Sequence, residues 1–193
     1  MKLVLASRNP HKVRELGGLL PGQELVPLPD DVELPPETGE TFEDNARLKA
    51  ESAARATGMP ALADDSGIEA AALGGRPGVR SARFAGEDAT DEQNLAKLLA
   101  EAPAGSGLAY VCVIAYVDGA EERTFEGRCT GTLAADPRGD GGFGYDPAFV
   151  PDDHPGRTMA ELSPQEKDVI SHRGRADRAM LVWLLRRERD QAA

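Results

Sequence analysis

The sequence predicts an α/β fold: a single domain with a mixed, twisted sheet flanked by helices. Three observations carry that expectation. Over the first hundred residues, short apolar runs alternate with segments whose apolar residues recur at helical spacing. Two β-rich runs then follow back to back, "LAYVCVIAYV" (108–117) and "RTFEGRCTGTLA" (123–134), split by a short "DGAE" turn that implies an antiparallel hairpin. The length, 193 residues, suits one substantial core and is short for two domains.

Taken in order, "KLVLA" (2–6) is a compact apolar strand. After "SRNP", Val13, Leu16, Leu19 and Leu20 recur at helical spacing until Pro21-Gly22 ends the pattern. "ELVPL" (24–28) is a second short strand. Residues 29–43 are acidic, proline-rich and too irregular for a core element; a loop of that length is usually functional or disordered. Thr41, with Asp44 three residues on, caps the helix "FEDNARLKAESAARAT". "MPALA" is the third strand, expected to end at Asp64 and Asp65. Residues 73–86 form a glycine-rich surface excursion, and a capped helix starts near Thr90. After the hairpin come the loop "DPRGDGGFGYDP", the short strand "AFVP" and a turn with one helical segment in "ELSPQEKDVISHRG". The chain closes on the amphipathic helix "RADRAMLVWLLRRERD". Neither repeats nor a linker interrupt it.

Composition narrows the function classes. A net charge of −11 argues against a general nucleic-acid binder, because phosphate backbones demand a basic surface. One small polyphosphate remains compatible where local cations or a metal mask the repulsion. Cys112 and Cys129 fit no common zinc spacing; buried free thiols are the expectation, with a cross-strand disulfide as the alternative. The five-residue apolar run before Arg8 is too short for an export signal, and no window approaches the roughly 18 apolar residues of a membrane span. A cytoplasmic protein is expected.

Several constellations could carry chemistry. In "ALADDSG" (61–67), small apolar residues run into two adjacent aspartates, as if a buried strand brought charge to the edge where α/β sheets keep their ligands. Buried carboxylates are costly unless paired or bound to metal; a solvated turn closed by Ser66 and Gly67 is the alternative. Ser7, Asn9 and Lys12 lie at the first strand-to-helix junction, where backbone N–H groups favour an anion and Lys12 adds a full charge. Simple helix capping is the competing reading.

The loop "GDGGFG" (139–144) formally matches GxGxxG, but Asp136-Pro137 before it and Tyr145-Asp146-Pro147 after it leave no strand-to-helix context, so the dinucleotide reading fails. Its glycines would instead let backbone approach a ligand, with Phe143 and Tyr145 as aromatic faces. "EKDVISHRG" gathers Lys167, His172 and Arg173, of which arginine binds phosphate or purine edges through two donors. A solvated basic helix end is the alternative there. A P-loop is absent. Ser66 stands where a haloacid dehalogenase-type phosphatase needs its second aspartate.

Together, "LASRNPHKVREL", "ETGETFEDNARLKA", "ALADDSGIEAAALGGRPGVRSARFAG", "GGFGYDPAFVP" and "EKDVISHRGRA" resemble the non-canonical purine nucleoside triphosphate pyrophosphatases, the Ham1 or inosine triphosphate pyrophosphatase family. Five motifs in consistent order span nearly the full chain. The resemblance implies hydrolysis of ITP, dITP and XTP to the monophosphate and pyrophosphate with magnesium, by a protein that is typically a homodimer. It implies that Ser7, Arg8, Asn9, Pro10, His11 and Lys12 hold the triphosphate, with Lys49 pointing at the same charge. Asp65 matches the general base and metal-associated aspartate, Ser66 sits beside it on substrate, and Glu37 matches a magnesium-associated carboxylate. Asp64 would support Asp65 or reach the metal. Phe143, Gly144, Tyr145 and Asp146, with Lys167, His172 and Arg173, would enclose base and sugar. Asp44 departs from the glutamate that many relatives carry before the Asn-Ala pair. A Maf-like pyrophosphatase shares the early SxNxxK pattern, but "SHRG" and "FGYDP" favour the inosine triphosphate family. A non-catalytic nucleotide sensor would lack the carboxylates present here.

Overall fold

The structure, a computed structural model, describes residues 1–9, 12–13, 23–119 and 121–191. Six strands form a mixed sheet: β1 (Lys2–Leu5), β2 (Glu24–Pro27), β3 (Ala61–Ala70), β4 (Gly107–Asp118), β5 (Glu121–Leu133) and β6 (Phe149–Pro151). Their order is β2-β1-β3-β4-β5-β6. Helices α1 (Phe42–Thr57), α2 (Asp91–Glu101), α3 (Pro164–Ile170) and α4 (His172–Gln191) complete the α/β class. The helix expected from Val13, Leu16, Leu19, Leu20 and Pro21-Gly22 lies largely outside the described residues; Lys12 and Val13 are helical.

The chain divides into two compact units, Met1–Asp65 with Cys112–Gly127 and Gly174–Ala193, and Ser66–Val111 with Arg128–Arg173. In the first, β1 pairs in parallel with β2 and with the start of β3, Leu5 opposite Leu62. Leu3, Leu5, Leu62, Ile114, Met180 and Leu184 share one apolar core there. Tyr116 and Trp183 meet edge to face at 4.9 Å on that core. Each such leucine contributes roughly 1.5–3 kcal/mol by leaving water. Thr41 and Asp44 form the expected capping box on α1, which explains Asp44: its carboxylate accepts from both the backbone N–H and the hydroxyl of Thr41.

In the second unit, Ile68, Leu98, Tyr110, Phe149 and Met159 belong to a separate core. Antiparallel pairing of β6 with β5 places Thr132 opposite Val150. Thr90 caps α2 through a capping box with Gln93, as the sequence predicts.

Two expectations are corrected. The third strand does not stop at the aspartates: β3 runs through them to Ala70. Gly67 extends it rather than closing a turn, because a Cβ there would collide with Ser81 and the Gly78 carbonyl. The last helix begins at His172, not Arg175. Ser171 is extended (φ −62°, ψ 151°) and ends α3, so the chain turns there and Gly174 is absorbed into α4. Three of the loop glycines lie close against the protein's own atoms. A Cβ at Gly139 or Gly141 would meet the Ala160 backbone, and one at Gly142, whose φ is +73°, would strike the Asp146 carboxylate. Cys112 and Cys129 are buried free thiols, as expected.

Candidate active site

The first unit gathers charge at the carboxyl end of the β1–β3 parallel pair. Beyond Leu5, the Ala6 N–H donates to the Leu62 carbonyl at 2.7 Å, and the chain then leaves the sheet. Asn9 caps the turn that follows: its N–H donates to Ser7 Oγ at 3.2 Å, and its Oδ1 accepts from the Lys12 N–H at 3.4 Å. That turn aims Lys12 at the buried Asp64, with Nζ 3.0 Å from Oδ2. Cys112 Sγ lies 4.0 Å from the same oxygen.

Helix α1 supplies the other half. Asn45 and Lys49, four residues apart, share one helix face, and both reach Asp65. Asn45 Nδ2 donates to Oδ2 at 3.0 Å, and Lys49 Nζ stands 3.7 Å from Oδ1. Lys49 also donates to Glu37 Oε1 at 2.5 Å. Asn45 Oδ1 accepts the Gly39 N–H at 2.7 Å, tying the loop that carries Glu37 to the start of α1. Gly39 is required for that approach, since a Cβ there would lie 2.6 Å from Asp44 Cβ and 2.7 Å from Asn45 Oδ1. Asn45 was not among the residues singled out from sequence. Its signal was its spacing from Lys49.

Burial dominates the electrostatics. It pushes the Lys49 ammonium down, but the fields of Asp65, Asp64 and Glu37 outweigh it, so the proton is held more tightly than in water. Burial, helped by Glu37, pushes the Asp65 carboxyl up against the pull of Lys49, Lys12 and Asn45. Asp65 is therefore a stronger base than an ordinary aspartate.

The second unit arranges a different set. Asp146, 3% exposed, is its hub. Its Oδ2 accepts from Lys167 Nζ at 2.6 Å and from the Phe143 N–H at 3.0 Å, and its Oδ1 accepts from the Tyr110 hydroxyl at 3.0 Å. Lys167 Nζ also lies 4.9 Å from the centre of the Phe143 ring. The Tyr110 ring stacks on His172 at 4.7 Å with planes 10° apart. Arg173 Nη2 donates to Ser66 Oγ at 3.0 Å, and Ser66 is the residue that follows Asp65 in the chain. Tyr145 is turned to structure, its hydroxyl donating to the Ser81 carbonyl at 2.7 Å. The Gly144 N–H is taken by Asp91 Oδ2 at 2.9 Å.

The structure thus brings together Lys12 with Asp64, Lys49 with Glu37 and Asp65, Phe143 and Lys167 with Asp146, and Arg173 with Ser66. Arg8 departs from its neighbours. Its guanidinium donates to the carbonyls of Pro29 (2.8 Å) and Val32 (3.0 Å) and pairs with Asp30 at 3.3 Å, fastening the acidic loop. Pro10 and His11 lie outside the described residues.

A family model described as the Ham1 family matches residues 3–183. A protein of Mycobacterium bovis named dITP/XTP pyrophosphatase is 52% identical, the match covering 96% of this chain and 95% of that one. Another of that name, from Yersinia pseudotuberculosis, is 50% identical over 93% and 96%. The solved structure of a HAM1 protein from Coxiella burnetii superposes with a TM-score of 0.89 at 42% identity, covering 96% of this chain and 99% of that one. Motif order, sheet and full-length similarity converge, and the chain belongs to the Ham1 family.

Proposed function

We propose that the protein hydrolyses non-canonical purine nucleoside triphosphates, ITP, dITP and XTP, to the monophosphate and pyrophosphate, clearing them from the nucleotide pool. The observation that carries this reading is Asp65: a buried carboxylate made more basic than usual, bracketed by Asn45 and Lys49 and reached by the field of Lys12. The names of the relatives from Mycobacterium bovis and Yersinia pseudotuberculosis support the substrate class.

Asp65 takes a proton from the attacking water, the role of a carboxylate held in place by Asn45 and Lys49. Lys12 and Lys49 bind the polyphosphate and offset its charge, Lys12 being held there by the Ser7–Asn9 turn. Ser66 orients substrate next to the base.

Among the described residues, no group of three or more His, Cys, Asp or Glu side chains is gathered for a metal. Glu37 and Asp65 nevertheless fit magnesium, which typically takes one or two carboxylates and completes its shell from water and substrate phosphate. The two already share Lys49, and the charge of Glu37 raises the Asp65 carboxyl, a repulsion that a cation relieves. Asp64, paired with Lys12, supports them. A divalent ion bound there masks phosphate charge and makes water a stronger acid.

Base choice belongs to His172 and Arg173. Hypoxanthine and xanthine present a 6-keto acceptor where adenine has an amino donor, and arginine donates only. A buried donor left facing a donor costs roughly 1–3 kcal/mol, or one to two powers of ten. Lys167, Phe143 and Asp146 enclose base and sugar.

Pyrophosphate release measured across ITP, XTP, ATP, GTP, dTTP and UTP with magnesium tests the reading. A preference for dTTP or UTP would favour a Maf-like activity, and no turnover of any would favour a sensor. Among the described residues no helix is long and apolar enough to cross a membrane. A cytoplasmic homodimer is the accompanying proposal, and light scattering of the purified chain tests the dimer.

A further inference from the structure

Tyr110 carries none of the roles assigned above, yet it touches both arms of the second-unit cluster. It lies on β4, buried in the core, with its ring 4.6 Å from Phe149. The opposite demand on a buried tyrosine is a partner for its hydroxyl, met here by Asp146 Oδ1 at 3.0 Å. One ring face stacks on His172. A single rigid side chain with two torsions thus links the imidazole plane to the carboxylate that holds Lys167 and the Phe143 N–H.

We infer that Tyr110 is a positioning residue for nucleotide selection: its ring sets the plane of His172, and its hydroxyl sets the direction of the Asp146 carboxylate and, through it, Lys167. This rests on the reading of His172 and Lys167 as nucleotide contacts. The two functions are separable because they use different parts of the side chain. The stack is a ring property and fixes where His172 presents its edge. The hydroxyl occupies one carboxylate oxygen, leaving the other to Lys167 and the loop. Burial and the Asp146 charge raise the phenol well above its usual value, so the hydroxyl remains a donor throughout the working pH range. A carboxylate stripped of that donor would turn to find another, and Lys167 would move with it.

The test uses the full chain and two variants. Tyr110→Phe keeps the ring and removes the hydroxyl; Tyr110→Leu removes both. For Tyr110→Phe, KM for ITP and ATP should rise together by about tenfold, the scale of one lost hydrogen bond to a charged group, with their kcat/KM ratio held. For Tyr110→Leu, the ITP-to-ATP ratio of kcat/KM should itself fall by about tenfold. A merely structural role would lower both nucleotides equally in each variant and leave that ratio intact. An unchanged ratio in folded Tyr110→Leu overturns the inference, as does a ratio that collapses equally in Tyr110→Phe.

A second measurement needs neither nucleotide nor the leucine variant. The chain has three histidines, so the His172 ring protons can be assigned by NMR. Stacking should shift them upfield in the wild type and in Tyr110→Phe, and unshifted resonances in both overturn the inference. Should the wild type fail to hydrolyse ITP, the proposed function falls while the NMR result stands, so the two failures are distinguishable.

Discussion

Asp65→Asn should abolish most turnover and, in the same molecule, leave the metal-free fold at least as stable as the wild type. The substitution is isosteric. The introduced amide can still accept from Asn45 Nδ2 through its oxygen, and Glu37 and Asp64 remain as partners of the Lys49 charge. What disappears is the ability to take a proton. General-base catalysis contributes about 10²–10⁴-fold, so kcat for ITP should fall by that factor while nucleotide binding falls far less.

The stability arm follows from the sign of the Asp65 shift. Its carboxyl is pushed above the ordinary 3.8 by burial first, despite Lys49. The contribution of this group to folding is therefore fully present below the unfolded value and is lost as pH rises through the folded one. Each tenfold change in proton affinity is worth about 1.4 kcal/mol. The advantage of Asp65→Asn should thus be smallest near pH 3.5, grow as pH rises, and level off by neutrality. Urea unfolding of both proteins across that range, in a chelator, reads the difference. A variant less stable than the wild type at pH 7, or a difference flat with pH, would refute the electrostatic argument. Near-normal ITP turnover by the folded variant would remove Asp65 from the chemistry.

Three other outcomes are expected. Turnover should vanish in excess chelator and return with magnesium; full activity in chelator would sink the metal-assisted reading. Lys12→Ala should weaken ITP and ATP alike, by about 10–100-fold, whereas Arg173→Ala should shrink the ITP preference. An equal loss for both nucleotides in Arg173→Ala would make Arg173 a phosphate or structural residue. Gly39→Ala should cost about 1–3 kcal/mol by overpacking against Asp44 and Asn45. By displacing Glu37 and Asn45 it should also cut activity by about 10²-fold, and parallel melting and kinetic measurements check both.

The sequence announced the elements whose signals are local. The capped starts at Thr41 and Thr90 need only the residues within one turn, and the apolar runs of β1, β2 and β4 need only their own composition. Its errors fell where distant packing decides. Nothing near Gly67 says that Ser81 and Gly78 will crowd it, so "DDSG" looked like the end of a strand. Nothing near Arg8 says that the irregular loop at 28–32 will present carbonyls that need a donor. Within the candidate site, Lys49 is legible by motif, whereas Asn45 is missed although its helical spacing from Lys49 carries a signal. Tyr110 was invisible, because an aromatic in a β-rich run signals a core and nothing in the run points to Asp146 or His172.

Why β3 continues past its aspartates bears on what they do. A strand ending at Asp65 would leave the carboxylate on a loop, free to turn toward water. In the strand, Asp64 and Asp65 point to opposite faces, and their partners differ accordingly: Lys12 for one, Asn45 and Lys49 for the other. Alternation therefore sets each carboxylate closest to a different cation, Lys12 for Asp64 and Lys49 for Asp65. Substituting Gly67 by alanine should disturb this register by forcing Ser81 and Gly78 away. The prediction is a loss of ITP turnover in Gly67→Ala that exceeds the loss in Gly74→Ala, since no atom lies within 4 Å of a Cβ at Gly74. Gly74→Ala carries only the strain of a left-handed residue (φ +65°). Equal effects of the two substitutions on turnover, at matched stability, would show that the continuity of β3 beyond Asp65 does not matter to the site.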